Sequence, residues 1–295
     1  MIYIDMNLKA WIEAMRLRTL PVSIAGVLTA VAYAILDGCF MWMPALLCLI
    51  FALLAQIASN FANEYYDFKG GLDRIGREGP RRGVTEGDIT PRAMKTATYL
   101  TLGIACAIGC SLILWGGWWL LAAGIVIALA VVAYSTGPYP LSHHGLGEVA
   151  VMFFFGIIPV NLTYYIMSSA WSTDVFLGSL SIGFMGANVL IINNYRDRDD
   201  DAAVGKHTLA VMFGLKTMAA IYLIDGLMAV LLMLPTWLRM SSITLIVPAI
   251  YLVGHIFLSI KMRHLSGHKL NPLLGMTAIL MFIYAFLFLL TAIFS

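Results

Sequence analysis

The chain is 295 residues long, 61% hydrophobic and only 12% charged, with a formal net charge of +2 and a mean hydropathy of +0.87. An apolar share so far above the roughly 45–50% of a soluble domain excludes an ordinary soluble enzyme and points to an integral membrane protein. The net charge, averaged over two faces of a membrane protein, says little; no nucleic-acid partner and no protein partner is implied.

Residues 1 to 19 form a segment ahead of the first span, and residues 4 to 18 within it are amphipathic. Leu8, Trp11, Ile12 and Met15 share one side, so this stretch is expected to lie along the cytoplasmic membrane surface. Nine apolar runs follow, at 20 to 36, 41 to 62, 93 to 114, 118 to 135, 148 to 168, 175 to 193, 215 to 235, 243 to 262 and 272 to 294. They have the length to cross about 30 Å of hydrocarbon as helices and lack the dyad alternation of a membrane β-barrel. The expected fold is all-α, a single polytopic domain over 1 to 295 with nine transmembrane helices. Ala32-Tyr33-Ala34 has the form of a signal-peptidase site, but the leader it would release is too long for a signal peptide.

Nine crossings put the termini on opposite faces. Of the 18 Lys and Arg residues, 17 fall on the face that holds the N-terminus, and only Arg239 lies opposite. Basic loops stay in the cytoplasm, so the N-terminus is expected there and the C-terminus across a cell inner (plasma) membrane. Trp115, Trp118 and Trp119 then sit at the far interface as anchors. Cys39, Cys48, Cys106 and Cys110 show no C-x-x-C pair and read as packing residues, with neither zinc nor a disulfide framework implied.

Most of the 16 acids gather in two clusters, one after span two and one after span six. The first is carried by "NEYYDFKGGLD" at 63 to 73, the second by "NNYRDRDDDAAVGKHT" at 193 to 208. In a helix Asn193, Asp197 and Asp201 fall on one stripe at i, i+4 and i+8. Asn63 and Asp67 repeat that spacing, and Asp73 follows the break at Gly70-Gly71. Asp199-Asp200-Asp201 alone would be a solvated run; N-x-x-x-D twice, four spans apart and on one membrane face, is a pair that can meet across a bundle. Carboxylates gathered at a low-dielectric edge repel unless a cation neutralises them, and hard Asp and Asn oxygens suit Mg²⁺ or Ca²⁺. Mg²⁺ completes its shell with water and phosphate, so two such sites imply a phosphorylated substrate between them. Arg74, Arg81, Arg82 and Lys206 are placed to bind diphosphate oxygens that the metal leaves free.

The third loop, "YSTGPYPLSHHGLGE" at 134 to 148, is turn-rich, and its His143 and His144 are candidates to contact an acceptor carboxylate or move a proton. Arg18, at the mouth of span one, is a comparable candidate. Tyr65, Tyr66, Tyr134 and Tyr139 lie near the same level, where aromatic faces can stabilise a cation. Asp225 and His255 are the ionisable residues deepest in spans and are expected to face the bundle interior, Asp225 as a structural hydrogen-bonding group.

With both motifs in view, the chain resembles the UbiA superfamily of intramembrane prenyltransferases over nearly its whole length. Within it, "RLRTLP" at 16 to 21, "NEYYDFKGGLD" with "GPRRGVTEGDIT" at 79 to 90, the third loop and "NNYRDRDDDAAVGKHTLAVMFG" at 193 to 214 are most similar to the menaquinone-pathway branch. The resemblance implies two Mg²⁺ ions on Asn63, Asp67, Asp73, Asn193, Asp197 and Asp201, with these aspartates and Lys206 catalytic. It also implies substrate contacts from Asn63, Asn193, Asn194, Arg74, Arg82, Arg18, Tyr139 and Lys206. The implied reaction moves a polyprenyl group from its diphosphate to 1,4-dihydroxy-2-naphthoate with loss of CO₂, giving demethylmenaquinone. Acceptors of other branches, 4-hydroxybenzoate among them, stay open. One departure is visible: the family usually has Asn-Asp where this chain has Asn63-Glu64, which puts a ligand role for Glu64 in doubt. A secondary transporter is the competing reading, and it would be expected to place its ion ligands at the bilayer midplane. A CDP-alcohol phosphotransferase lacks its D-x-x-D-G-x-x-A-R type signature here.

Overall fold

The computed structural model describes residues 7–295, among which there is no strand. The helices in chain order are α1 (Leu8–Met15), α2 (Leu20–Leu36), α3 (Trp42–Lys69), α4 (Pro91–Ser111), α5 (Ile113–Gly116), α6 (Trp119–Ala133), α7 (Gly147–Val151), α8 (Ile158–Ser168), α9 (Thr173–Ala203), α10 (Leu209–Arg239), α11 (Ile246–Met262) and α12 (Asn271–Ile293). A π-helical turn over Met152–Ile157 joins α7 to α8 in one rod. The starts follow local chemistry: Thr90 accepts the Ala93 N–H and Pro91 opens α4, while Pro21 and Pro272 sit in the first turns of α2 and α12.

Among the described residues, eight stretches are long and apolar enough to cross a membrane, so the chain is a multi-pass membrane protein. The expected fourth span is the exception. Its helix α6 has 15 residues, about 22 Å of rise against the 30 Å of hydrocarbon. The backbone break at Gly117 precedes it and the turn at Gly137-Pro138 follows, which leaves no residues to lengthen it.

Helix α9 is the buried centre of the bundle, packed by α10, α12, the π-helical turn and α8. In lipid, helices associate through close packing and hydrogen bonds rather than by escaping water. Both devices are present. A Cβ on Gly156 would stand 2.4 Å from the Cα of Gly183, so the α7–α8 rod and α9 touch backbone to backbone. Trp237, fully buried on α10, donates from Nε1 to the Tyr284 hydroxyl of α12 at 2.8 Å and meets Phe288 edge-on.

At the N-terminal end, α1 buries Ala10 and Ala14, and Trp11 packs edge-on against Phe61 of α3. Leu8 and Ile12 are exposed, so Trp11 and Met15 dock on the protein while Leu8 and Ile12 face outward. The part of the expected amphipathic stretch before residue 7 lies outside the described residues. Asp225 and His255 are buried, as expected. His255 is stacked between Tyr222 and Tyr251, and Gly226 leaves room for its ring. The structural hydrogen bond expected of Asp225 is not found among the described residues. All four cysteines are free thiols.

Candidate active site

The two acidic motifs end alike. Asn63 and Asp67 occupy the last turns of α3, which stops at Lys69; Gly71, at φ +67°, then reverses the chain with the Leu72 N–H on the Asp67 carbonyl at 2.9 Å. That reversal brings Asp73 back toward the helix end. On α9, Asn193, Asp197 and Asp201 fill the last turns; Gly205, at φ +75°, reverses the chain, and the Lys206 N–H returns to the Asp201 carbonyl at 2.9 Å. Lys206 thereby points back at the acids that precede it.

Across the gap, Arg77 ties the motifs together. Its Nη1 donates to Asp73 Oδ1 at 2.7 Å and its Nη2 to Asp197 Oδ2 at 3.0 Å. Lys206 Nζ donates to Asp67 Oδ2 at 3.3 Å and stands 3.9 Å from Asp201 Oδ1. Arg82 Nη2 donates to Asn63 Oδ1 at 3.0 Å, and its Nε is 3.5 Å from Asp73 Oδ2. Arg16 donates to the same Asn63 oxygen. Arg196 grips Asp197 with Nε and Nη2, each at 2.7 Å, while its Nη1 holds Asn271 at the start of α12. His143 Nε2 stands 3.6 Å from Asp67 Oδ1. Burial pushes the Asp73 carboxyl up from its ordinary value, with Arg77 opposing. Burial would lower the Arg77 guanidinium, but Asp197 and Asp73 hold it above its ordinary value.

The side chains of Asp67, Asp73 and Asp197 are each 2% exposed. Buried carboxylate oxygens without a hydrogen bond are costly, yet Asp67 Oδ1 and Asp73 Oδ2 have none, and neither does His143 Nε2. Among the described residues no three His, Cys, Asp or Glu side chains form a ready metal cage. Mg²⁺ asks for no such cage: one or two carboxylates, with water and phosphate completing the shell, suffice. The all-oxygen donor set and the two unpartnered carboxylate oxygens fit it.

Most of these groups, though not Asp73 or His143, line a cavity of about 650 Å³. Gln56, Ser59, Tyr134, Val151 and Phe155 line both this chamber and a second, apolar one that runs on between α2, α3, α6 and α8. Of the residues expected at the site, Asn63, Asp67, Asn193, Asp197, Asp201, Arg82 and Lys206 line the polar chamber, Arg18 stands at its rim, and Asp73 lies behind Arg77 and Arg82.

Asn194 lines the chamber as well, beside the acidic stripe, with its amide donating to Glu148 Oε1 of α7 at 2.9 Å. Three expectations are corrected. Arg74 is exposed and bound to Asp200 on the outside. Tyr139 is 55% exposed and stacked on His144 at 3.8 Å, which takes both rings out of the site. Of the four tyrosines only Tyr134 lines the chamber; Tyr66 pairs with Tyr99 through their hydroxyls.

Glu64 accepts the Val84 N–H at 3.0 Å, so it anchors the loop over 79 to 90 that roofs the chamber. Sequence reasoning passed over Arg77, Arg196 and Arg16. The signal for Arg77 was its position four residues after Asp73, and for Arg196 its position three after Asn193.

The pattern of the UbiA prenyltransferase family matches residues 23–286. The chain belongs to that family. It is 35% identical over 224 residues to the 1,4-dihydroxy-2-naphthoate octaprenyltransferase of Haemophilus influenzae, covering 72% of this chain and 71% of the relative. The Escherichia coli enzyme of the same name is 36% identical over 213 residues, 70% of this chain and 69% of its own. Among solved structures, a UbiA homologue from Archaeoglobus fulgidus bound to GPP and Mg²⁺ superposes with a TM-score of 0.65 at 15% identity, over 95% of this chain and 99% of that one. This UbiA chain thus shares that fold, and its two motifs sit at one end of the bundle.

Proposed function

We propose that the chain transfers a polyprenyl group from a polyprenyl diphosphate to 1,4-dihydroxy-2-naphthoate, with Mg²⁺ required. The carrying observation is the placement of two facing acidic motifs and their bases at the mouth of an apolar cavity. A lipid diphosphate has that same division, a charged head and an apolar tail. The relatives that cover most of the chain carry this activity in their names, and the Archaeoglobus protein binds GPP and Mg²⁺.

Asp67, Asp73, Asp197 and Asp201, with Asn63 and Asn193, would hold two Mg²⁺ ions. Bound Mg²⁺ supplies charge neutralisation for the diphosphate as it leaves. Lys206, Arg77 and Arg82 bind the diphosphate oxygens and orient the donor. The allylic C–O bond breaks with its electron pair going to the diphosphate. A ring carbon of the acceptor then bonds to the allylic carbon, and CO₂ departs from that ring carbon, leaving its electron pair to restore the aromatic system. Tyr134, at the junction of the chambers, faces the cationic carbon, and the roof over 79 to 90 keeps water away. Arg18 at the rim receives the acceptor carboxylate. The site opens to the cytoplasmic face, where nearly all the basic residues gather.

Purified protein given a radiolabelled polyprenyl diphosphate, Mg²⁺ and a panel of aromatic acceptors should form labelled demethylmenaquinol, identified by mass spectrometry as demethylmenaquinone after oxidation by air, and lose activity with EDTA. No turnover with any aromatic acceptor would overturn the reading. Preference for 4-hydroxybenzoate would keep the reaction class and replace the acceptor.

A further inference from the structure

The apolar chamber is lined along α6 by one helical face that includes Leu120, Gly124, Ile127 and Val131. Gly124 is the single glycine of this helix, in a run otherwise made of Leu, Ala, Ile and Val after Trp119. Glycine inside a helix costs about 0.5–1 kcal/mol relative to alanine, so its presence calls for a reason. Several other helical glycines have one in packing. A Cβ on Gly116 would stand 2.3 Å from Leu120 Cδ1, and one on Gly109 would stand 3.1 Å from Phe51. Gly124 has no such neighbour: a Cβ there would meet no atom within 4 Å. Its backbone is ordinary helix, so no unusual dihedral demands it. What remains is the open space itself, which belongs to the chamber wall.

Tyr134, just past the end of α6, lines both chambers and marks the level where they join. Gly124 stands ten residues earlier, about 15 Å along the helix axis from that junction. Beyond Gly124 the wall includes Leu112, Leu120 and Ile166, all buried. We propose that Gly124 is a specificity-determining position that keeps the channel open for the donor's tail, so that the side chain at 124 sets the longest tail accepted. This rests on the prenyl-transfer reading and adds to it the place where tail length is controlled.

The test uses Gly124→Ala and Gly124→Leu in the full chain, assayed with Mg²⁺ and the naphthoate acceptor against dimethylallyl, geranyl, geranylgeranyl and octaprenyl diphosphates. Both replacements are better helix formers than glycine and their Cβ meets no atom within 4 Å, and the short-donor activity of each variant reports that it has folded. Gly124→Leu should keep kcat/KM for the two short donors and lose about tenfold or more for the two long ones, since a pocket methylene or two discriminates on that scale. Gly124→Ala should fall between. Gly103→Leu, on the outer face of α4 with equally open space around it, should leave the profile as in the wild type. An unchanged profile in Gly124→Leu, or an equal loss on all four donors, overturns the inference while an active wild type preserves the function. A wild type inert toward every donor overturns both.

Discussion

The two acidic motifs share a skeleton and differ in how their charge is met. Asp197 is gripped by its neighbour Arg196 at two points and by Arg77 at a third, so its carboxylate is neutralised locally. Asp67 Oδ2 accepts from the neutral Asn63 amide at 3.2 Å and from Lys206 at 3.3 Å, His143 stands 3.6 Å away, and Oδ1 is left without a hydrogen bond. One motif is braced into the bundle through Arg196 and Asn271; the other keeps its charge available. Equal spacing in sequence therefore conceals unequal roles, a scaffolded acid facing a receptive one.

The sharpest way to break this contrast is to neutralise each acid in turn. Asp67→Asn and Asp197→Asn should each cut turnover by about 100-fold or more, since both are proposed to stabilise the leaving diphosphate through metal. Their stabilities should part. Removing one member of a buried pair costs about 3–5 kcal/mol, and Asp197→Asn takes from Arg196 its carboxylate while Arg77 keeps Asp73. Asp67→Asn leaves Lys206 with Asp201 nearby, so thermal unfolding in detergent should move far less. Equal shifts in Tm would erase the distinction; retained activity in either variant would remove that residue from the proposed metal site.

Arg77 donates to an acid of each motif, and it probes whether they act as a unit. Arg77→Gln should lower kcat/KM for the diphosphate donor by roughly 10- to 100-fold, the scale on which a single transition-state donor is lost. Lys206→Ala should act more narrowly, raising KM for the donor by about tenfold, one charge-assisted contact's worth, while KM for the acceptor stays put. Equal changes in both KM values would argue against a diphosphate contact.

How much of this was legible depends on what each residue needed. The span pattern and the N-x-x-x-D pairs were readable because helix period fixes which side chains share a face, and Asn63, Asp67, Asn193, Asp197 and Asp201 do share one chamber. Arg77 was not readable as a bridge, because it lies in an irregular loop whose path follows the reversals at Gly71 and Gly76. Asn194 was readable as a chamber residue but not in its bonding, because the 100° turn from Asn193 gives its amide to Glu148. Tyr139 failed as a site residue because its loop closes on itself, with His144 Nδ1 bonded to the Pro140 carbonyl at 2.8 Å and its ring on the tyrosine. The shortened α6 was hidden because the run at 118 to 135 has a span's hydropathy while only Trp119–Ala133 of it is helical.

Glu64 carries the smallest expected effect and the most discriminating one. Its Oε1 accepts the Val84 N–H, and Val84 packs with Ile89, Phe61 and Met94 beneath the roof loop. The extra methylene that separates glutamate from the family's usual aspartate gives the side chain the reach to this loop. A Glu64→Gln variant keeps the accepting oxygen, so activity and the Mg²⁺ concentration for half-maximal rate should stay within about twofold. Glu64→Ala leaves the buried Val84 N–H unsatisfied and should cost about 1–3 kcal/mol of stability, with the Mg²⁺ dependence still unmoved. A tenfold rise in the Mg²⁺ requirement of Glu64→Gln would make Glu64 a ligand after all. The first motif would then hold more acid on the metal than its geometry shows, and the asymmetry with the second would deepen.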